Sequence, residues 1–213
     1  RGIEIIWEVL EEAYTNRMPV SLHAGRAPVQ IGFNRRSRRY TKDVVPWVNV
    51  LEARNEAGKP LSVLYEHPAH PVITIGCGGI NADFPAYTTR YLQETLGEDV
   101  VPLFAQGCCA NINGFPVGFT IASGWEERAE NAGKKLGSAV IEAMKGATKL
   151  EAEELNAASI TAMLPMRLPT MAGWEEMTVR IMNQSPAKPL PGDECPNGTQ
   201  DSWVRSLDVV KEM

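Results

Sequence analysis

Glu66-His67-Pro68-Ala69-His70-Pro71, Ala82-Asp83-Phe84-Pro85-Ala86-Tyr87 and Val100-Val101-Pro102-Leu103-Phe104-Ala105-Gln106-Gly107-Cys108-Cys109-Ala110-Asn111-Ile112-Asn113 are the parts of the stretch whose reading decides the fold. The first closes an apolar run, Leu61 to Tyr65, and delivers two histidines. The second opens a helical pattern of about Tyr87 to Leu96, with Tyr91, Leu92 and Thr95 at core spacing. In the third, a nearly all-apolar run, expected to be a buried central strand, passes straight into a polar loop. Alternation of this kind predicts an α/β layer architecture, in which loops at the carboxyl ends of strands carry the ligands. Two of the three histidines and three of the four cysteines lie between Leu64 and Asn113, so the chemistry is concentrated there.

Working outward, Trp47 to Ala53 and Leu61 to Tyr65 are strand-like runs joined by Arg54-Asn55-Glu56-Ala57-Gly58-Lys59-Pro60, which predicts a hairpin. Val20 to Phe33 reads as two short strands with a bend at Gly25 and Pro28. A long helix is expected from about Trp125 to Lys145, with Ala129, Ala132, Leu136, Ala139, Val140 and Ala143 inward and Ser123 as its cap. Gly97 is placed to end the helix before it. Ile3 to Tyr14 has helical spacing but no capping residue ahead of it, and Trp203 to Val210 reads as a helix without a stop. Both ends therefore look cut, and an internal piece of a longer protein is expected. Residues 1–148 are read as part of one catalytic-type domain and 149–213 as its loop-rich continuation. Ala157 to Leu168 alternates like a strand, and Met163, Met166, Met171, Met177 and Met182 read as gap-fillers.

Composition removes several function classes. The 213 residues are 44% hydrophobic and 22% charged, as in a folded globular core. A net charge of −5 opposes nucleic-acid binding, which needs a broad basic face. No apolar run is long enough to be a transmembrane segment. The oligomeric state has no signal in the sequence. Cys77, Cys108, Cys109 and Cys195 form no CxxC pair, so Cys108 and Cys109 read first as small buried hydrophobes. The basic run Arg35, Arg36, Arg38 and Arg39 is either a solvated loop or a contact for an anion or polar headgroup. Pro68 and Pro71 hold His67 and His70 extended, so the two rings diverge and one serves a site while the other packs. Asp83 is read as a helix cap with Pro85 in the first turn. Cys77-Gly78-Gly79 lacks the spacing of a nucleotide-binding loop.

The order of these motifs carries a resemblance. Gly25-Arg26 with Ile31-Gly32-Phe33-Asn34-Arg35-Arg36, then Gly58-Lys59-Pro60-Leu61, Ala69-His70-Pro71-Val72, Ala82-Asp83-Phe84-Pro85, Phe104-Ala105-Gln106-Gly107 and Asn111-Ile112-Asn113 resembles the neutral/alkaline non-lysosomal ceramidase family. The likeness is greatest to its divergent bacterial branch, from environmental and planctomycete-type genomes, and covers about Ile3 to Ala143. It implies a layered mixed sheet flanked by helices, like the N-terminal catalytic domain of those enzymes. It also implies a zinc-dependent amidase acting on a small-molecule or lipid substrate, which in characterised members is ceramide, split into sphingosine and a fatty acid. Location by resemblance is secreted or periplasmic.

Residue by residue, the resemblance makes His70 a zinc ligand and Arg35 a substrate contact from an Asn-Arg-Ser motif. Asp83 and Tyr87 match the family's Asp and Tyr after the histidine, Asp83 with a supporting role. The family's serine falls in the motif that ends here at Asn113, whose amide is neither nucleophile nor general base. The family's other ligands, a histidine from an upstream His-x-His and a downstream glutamate and tyrosine, have no counterpart in these residues. In such a scheme Asn113 would donate a hydrogen bond to an oxyanion. Two other readings stay open: a noncatalytic binding or scaffold domain of the same fold, and a thiol hydrolase using Cys108 or Cys109 with a histidine.

Overall fold

The computed structural model describes residues 2–35, 44–75, 77–114, 123–151, 154 and 156–163. Helix α1 (Gly2–Thr15) leads into strands β1 (Ser21–Pro28), β2 (Gly32–Asn34), β3 (Trp47–Arg54) and β4 (Pro60–Glu66). Helix α2 (Asp83–Leu96), strands β5 (Val101–Ala105) and β6 (Ile112–Gly114), helix α3 (Trp125–Lys145) and strand β7 (Thr148–Lys149) follow. The main sheet has the order β5-β4-β3-β1-β7, and β2 pairs with β6 in a second, two-stranded sheet. The main sheet is mixed: β5 runs parallel to β4, while the other neighbours are antiparallel. The expected layered mixed sheet flanked by helices is the fold observed.

Alternation along the strands decides which face is covered. Val48, Val50 and Glu52 of β3 and Val63 and Tyr65 of β4 are buried, because the period-2 alternation puts them on one face of the sheet, where α3 packs on β1 and β3 and Tyr65 reaches Pro85 of α2. The intervening residues face the other way. Ala24, Leu51, Leu64 and Leu103 stand opposite one another across four strands, and Leu64 and Leu103 are exposed. The hairpin is as expected, with a register irregularity at Ala53/Arg54. The run from Val100, by contrast, is not a central strand: β5 lies at the sheet edge, with Val101 and Leu103 exposed. A continuous apolar run signals burial on both faces, but here only one face of the strand meets a helix.

The helices form one layer over that inner face. In α3 the buried residues include Ala129, Ala132, Leu136, Ala139, Val140 and Ala143, the inward set expected from its spacing. Helix α2 packs along α3 where two glycines of α3 leave room for it. A Cβ on Gly133 would lie 2.5 Å from that of Tyr87 and 2.8 Å from the Phe84 carbonyl oxygen, and one on Gly137 would meet the Tyr91 ring. Thr88 Oγ1 donates to the Gly133 carbonyl at 3.1 Å across this contact. Phe104 then joins the helix layer to the sheet, with its ring 5.5 Å from Tyr65 and edge-on to Phe84 at 5.6 Å. Burial pushes the Tyr65 phenol above its ordinary range.

Several local expectations need correction. Thr95 is exposed rather than inward. Ser123 is not the cap of α3: Gly124 occupies that position in the left-handed region at φ 75°, and no side chain caps the helix. Cys108 is exposed and Cys109 buried, so they are not a buried pair. Residues 157–163 form no strand, and Met163 is exposed rather than filling a gap. Gly97 does end α2, its N–H donating to the Gln93 carbonyl. Helix α1 forms as expected, yet none of its residues is buried among the described residues. The boundary expected after residue 148 falls within β7, the sheet's last strand. Arg36, Arg38, Arg39, the later methionines, Cys195 and the expected helix from Trp203 to Val210 lie outside the described residues. No described helix is long and apolar enough to cross a membrane.

Candidate functional site

Beside the main sheet, the chain from Ala110 to Ile112 presents three successive carbonyls, and each holds a neighbouring element. The Ala110 carbonyl accepts from Arg35 Nη2 at 3.0 Å and the Asn111 carbonyl from the Arg35 backbone N–H at 2.9 Å. The Ile112 carbonyl accepts two donors from His70, its backbone N–H at 3.0 Å and ring Nδ1 at 2.9 Å. A carbonyl oxygen has two lone pairs, so both bonds form. Asn113 follows, opposite Phe33 of β2 on one side and bridged in parallel to His70 on the other. Arg35, His70 and Asn113, which come from distant parts of the sequence, therefore meet at one backbone junction.

The state of the His70 ring follows from this geometry. A carbonyl only accepts, so Nδ1 carries a proton, and in the neutral ring Nε2 holds the lone pair. That nitrogen faces Cys109 Sγ at 3.9 Å. His70 is partly exposed, whereas Cys109 is buried. Gln106 Nε2 also donates to Cys109 Sγ, at 2.9 Å. The sequence leaves open a pairing of Cys108 or Cys109 with a histidine and reads both first as small hydrophobes; the structure places Cys109, not the exposed Cys108, against His70.

His67 is the packing partner of the pair. It is 2% exposed and its Nδ1 is 2.9 Å from the Trp47 carbonyl. Burial pulls its pKa below the ordinary histidine range, partly opposed by the Trp47 carbonyl and the nearby Glu66 charge. The two rings thus bond carbonyls of different elements. His23 hydrogen-bonds Ser21 at 3.1 Å and lies in β1, outside this junction.

Asp83 is a scaffold residue. Its Oδ2 accepts from the amide and hydroxyl of Thr74, at 2.7 and 2.6 Å, and its Oδ1 accepts from the Phe84 amide at 2.8 Å. It holds φ at 55°, which aspartate tolerates better than most side chains. Its carboxylate ties the segment after His70 to the start of α2 and takes an N-terminal amide, although the residue before the helix is Ala82. Tyr87 packs in α2 against Gly133, with Arg90 over its ring at 5.4 Å. Neither is bonded to His70, Arg35 or Asn113.

The site contains one unsatisfied acceptor. Asn113 is 4% exposed, and no donor among the described residues reaches its buried Oδ1. A buried amide oxygen without a partner is destabilising by roughly 1–3 kcal/mol, which a ligand donor or a water would relieve. Toward a metal, His70 has the character of one ligand: a lone-pair nitrogen whose orientation and tautomer are fixed by a carbonyl on the other ring nitrogen. Among the described residues, no three His, Cys, Asp or Glu side chains are grouped so as to hold a metal ion.

Comparison with known proteins gives no matching family model and no matching curated protein. Among solved structures, the chain is similar to the neutral ceramidase from Pseudomonas aeruginosa, with 17% identity and a TM-score of 0.54 over 64% of this chain and 24% of that one. It is also similar to a ceramidase complexed with C2, at 17% identity and a TM-score of 0.53, covering 63% of this chain and 24% of that one. The chain thus spans about a quarter of the length of these structures, and the likeness is one of fold.

Proposed function

We propose that the chain is part of a ceramidase-type, zinc-dependent hydrolase that cleaves the amide of a ceramide-like lipid or another N-acyl substrate with water. The observation that carries this reading is the meeting of Arg35, His70 and Asn113 at the 110–112 carbonyls, within a fold shared with neutral ceramidases. Zinc, when bound, supplies Lewis acidity and brings the pKa of water to about 7.

The chain's own residues have separable tasks in this scheme. His70 presents Nε2 as a ligand, its ring held by the Ile112 carbonyl. Arg35, fixed by Ala110 and Asn111, supplies a positive charge toward a carbonyl or headgroup oxygen of the substrate. The unsatisfied Oδ1 of Asn113 accepts from the substrate N–H or from water, and its Nδ2 is available as an oxyanion donor. Asp83 positions the segment after His70 through Thr74. No covalent acyl intermediate is required, since Asn113 is not a nucleophile.

A noncatalytic binding domain of the same fold is the second reading, favoured by an asparagine where the family resemblance expects serine. Zinc content of the full-length protein, beside His70→Ala, separates the two. About one zinc per chain, lost in the variant, together with release of fatty acid from an N-acyl substrate, is the expected result. Zinc in neither protein overturns the hydrolase reading and leaves the binding domain.

A further inference from the structure

Asn113 holds an acceptor that the fold itself leaves unserved. The residue is 4% exposed, and its buried Oδ1 has no donor among the described residues. The donors that meet at the junction are engaged elsewhere. Arg35 gives Nη2 to the Ala110 carbonyl and its amide to the Asn111 carbonyl, and His70 gives both its amide and Nδ1 to the Ile112 carbonyl. The lone pair left at His70 Nε2 only accepts.

The main chain is not free to relieve the deficit. Asn113 lies opposite Phe33 of β2 and is bridged to His70, and the Gly114 amide just after it donates to the His70 carbonyl at 3.0 Å. Both flanks are packed to the limit. A Cβ on Gly32 would lie 2.8 Å from the Asn113 carbonyl oxygen, and one on Gly114 would lie 3.1 Å from that of His70 and 3.0 Å from Ile73 Cγ1. A buried acceptor in so fixed a frame calls for a donor from outside the fold.

Resting on the N-acyl-substrate reading of this junction, we infer that Asn113 is the residue that determines which acyl bond the site takes. Its Oδ1 accepts the N–H of a secondary amide, so secondary amides are selected and esters or N-alkylated amides of the same shape are rejected. The amide N–H is the one donor on the scissile bond itself. In an ester that place holds an oxygen with lone pairs, and in an N-methyl amide it holds a methyl group; either leaves Oδ1 buried and unpaired. A site with a buried group awaiting a donor rejects the analogue that lacks it far more strongly than an apolar pocket does. The terminal torsion of asparagine is broad, so the amide can turn to meet the ligand while the main chain stays in place. Turning it over to offer Nδ2 does not rescue an ester, whose alkoxy oxygen is a poor acceptor.

Three probes of one length test this on the full-length protein: N-butylhexanamide, N-butyl-N-methylhexanamide and butyl hexanoate, with affinity read by isothermal titration and release of hexanoate followed separately. The wild type should bind the secondary amide about ten- to a hundredfold more tightly than either analogue, the effect of leaving a buried acceptor unpaired. Asn113→Leu should bind all three alike. Asn113→Asp, which keeps an oxygen acceptor at that place, should still prefer the secondary amide to its N-methyl form. Far-ultraviolet circular dichroism checks that each variant is folded, and if Asn113→Leu is not, the wild type and Asn113→Asp decide the matter. Equal affinity of the wild type for the three probes overturns the inference and means that water serves the acceptor; so does a preference that survives in folded Asn113→Leu. Discrimination without release of hexanoate upholds the inference and counts against the hydrolase reading. Hydrolysis of amide and ester with equal affinity upholds the hydrolase reading and overturns this one. Failure to bind any probe overturns both.

Discussion

Replacing Gly107 with alanine tests how the main sheet positions the loop that carries Cys109 and Asn113. Gly107 has φ 63°, a conformation that disfavours an L side chain by about 1–2 kcal/mol. A Cβ there would also run into the Glu66 carboxylate, with Cδ at 2.9 Å. Glu66 would have to swing away from Asn49, whose amide donates to it at 2.5 Å and whose Oδ1 accepts from Arg26 Nε at 2.7 Å. A hydrogen bond to a charged group is worth roughly 1.5–3 kcal/mol, and this one is only part-buried, so about 1–2 kcal/mol is appropriate. Gly107→Ala should therefore destabilise by about 2–4 kcal/mol in all. In a Glu66→Ala background the collision is gone and only the backbone strain of about 1–2 kcal/mol remains. Urea unfolding of the four proteins gives the coupling from their midpoints, provided the slopes agree. A coupling within about 0.5 kcal/mol of zero would refute the reasoning that the Glu66 carboxylate occupies the space a side chain at residue 107 would need.

Two further outcomes follow from the packing and from burial. Gly133→Ala should destabilise by about 1–3 kcal/mol despite a gain of up to about 1 kcal/mol in helix propensity, because the Cβ meets backbone atoms of α2; a stabilised variant in chemical denaturation would contradict the close helix contact. His67 has its pKa lowered by burial, so the unfolded chain binds its proton first. Its contribution is present above about pH 6.5 and is lost as the pH falls toward the folded-state value, at no more than about 1.4 kcal/mol per pH unit. His67→Gln should flatten stability against pH in that window, and an unchanged slope would show that His67 is not the group responsible.

The elements were legible where one periodicity dominates. Helix α3 begins and ends where its spacing indicates, and the hairpin of β3 and β4 is marked by its turn residues. Sheet order was not legible, because an apolar run such as Val101 to Ala105 does not record which of its faces will be covered. The contact between α2 and α3 was missed for a related reason: Gly133 and Gly137 look like weak points in a helix, and their value lies in what a missing Cβ lets approach. At the site, the family resemblance singled out His70, Arg35 and Asn113 and implied a supporting place for Asp83, whereas the residues alone left Asp83 as a helix cap and did not separate His70 from His67. The sequence did not decide which of Cys108 and Cys109 faces a histidine, since that depends on how the chain turns between Gly107 and Ile112.

The site is built chiefly from main-chain carbonyls, and this bears on how its chemistry can vary. Arg35 is placed by the carbonyls of Ala110 and Asn111, and His70 by that of Ile112. None of these bonds uses the side chain of residue 113. The His70 ring and the guanidinium therefore keep their positions whatever side chain stands there, as long as the backbone pairing of β6 with β2 and with His70 is intact. On the proposed reading, asparagine where the resemblance expects serine would change what the site does to a substrate while leaving the placement of His70 and Arg35 unchanged. Within that proposal, the absence of a nucleophile at Asn113 counts against an acyl-enzyme and does not count against hydrolysis by water at the same junction.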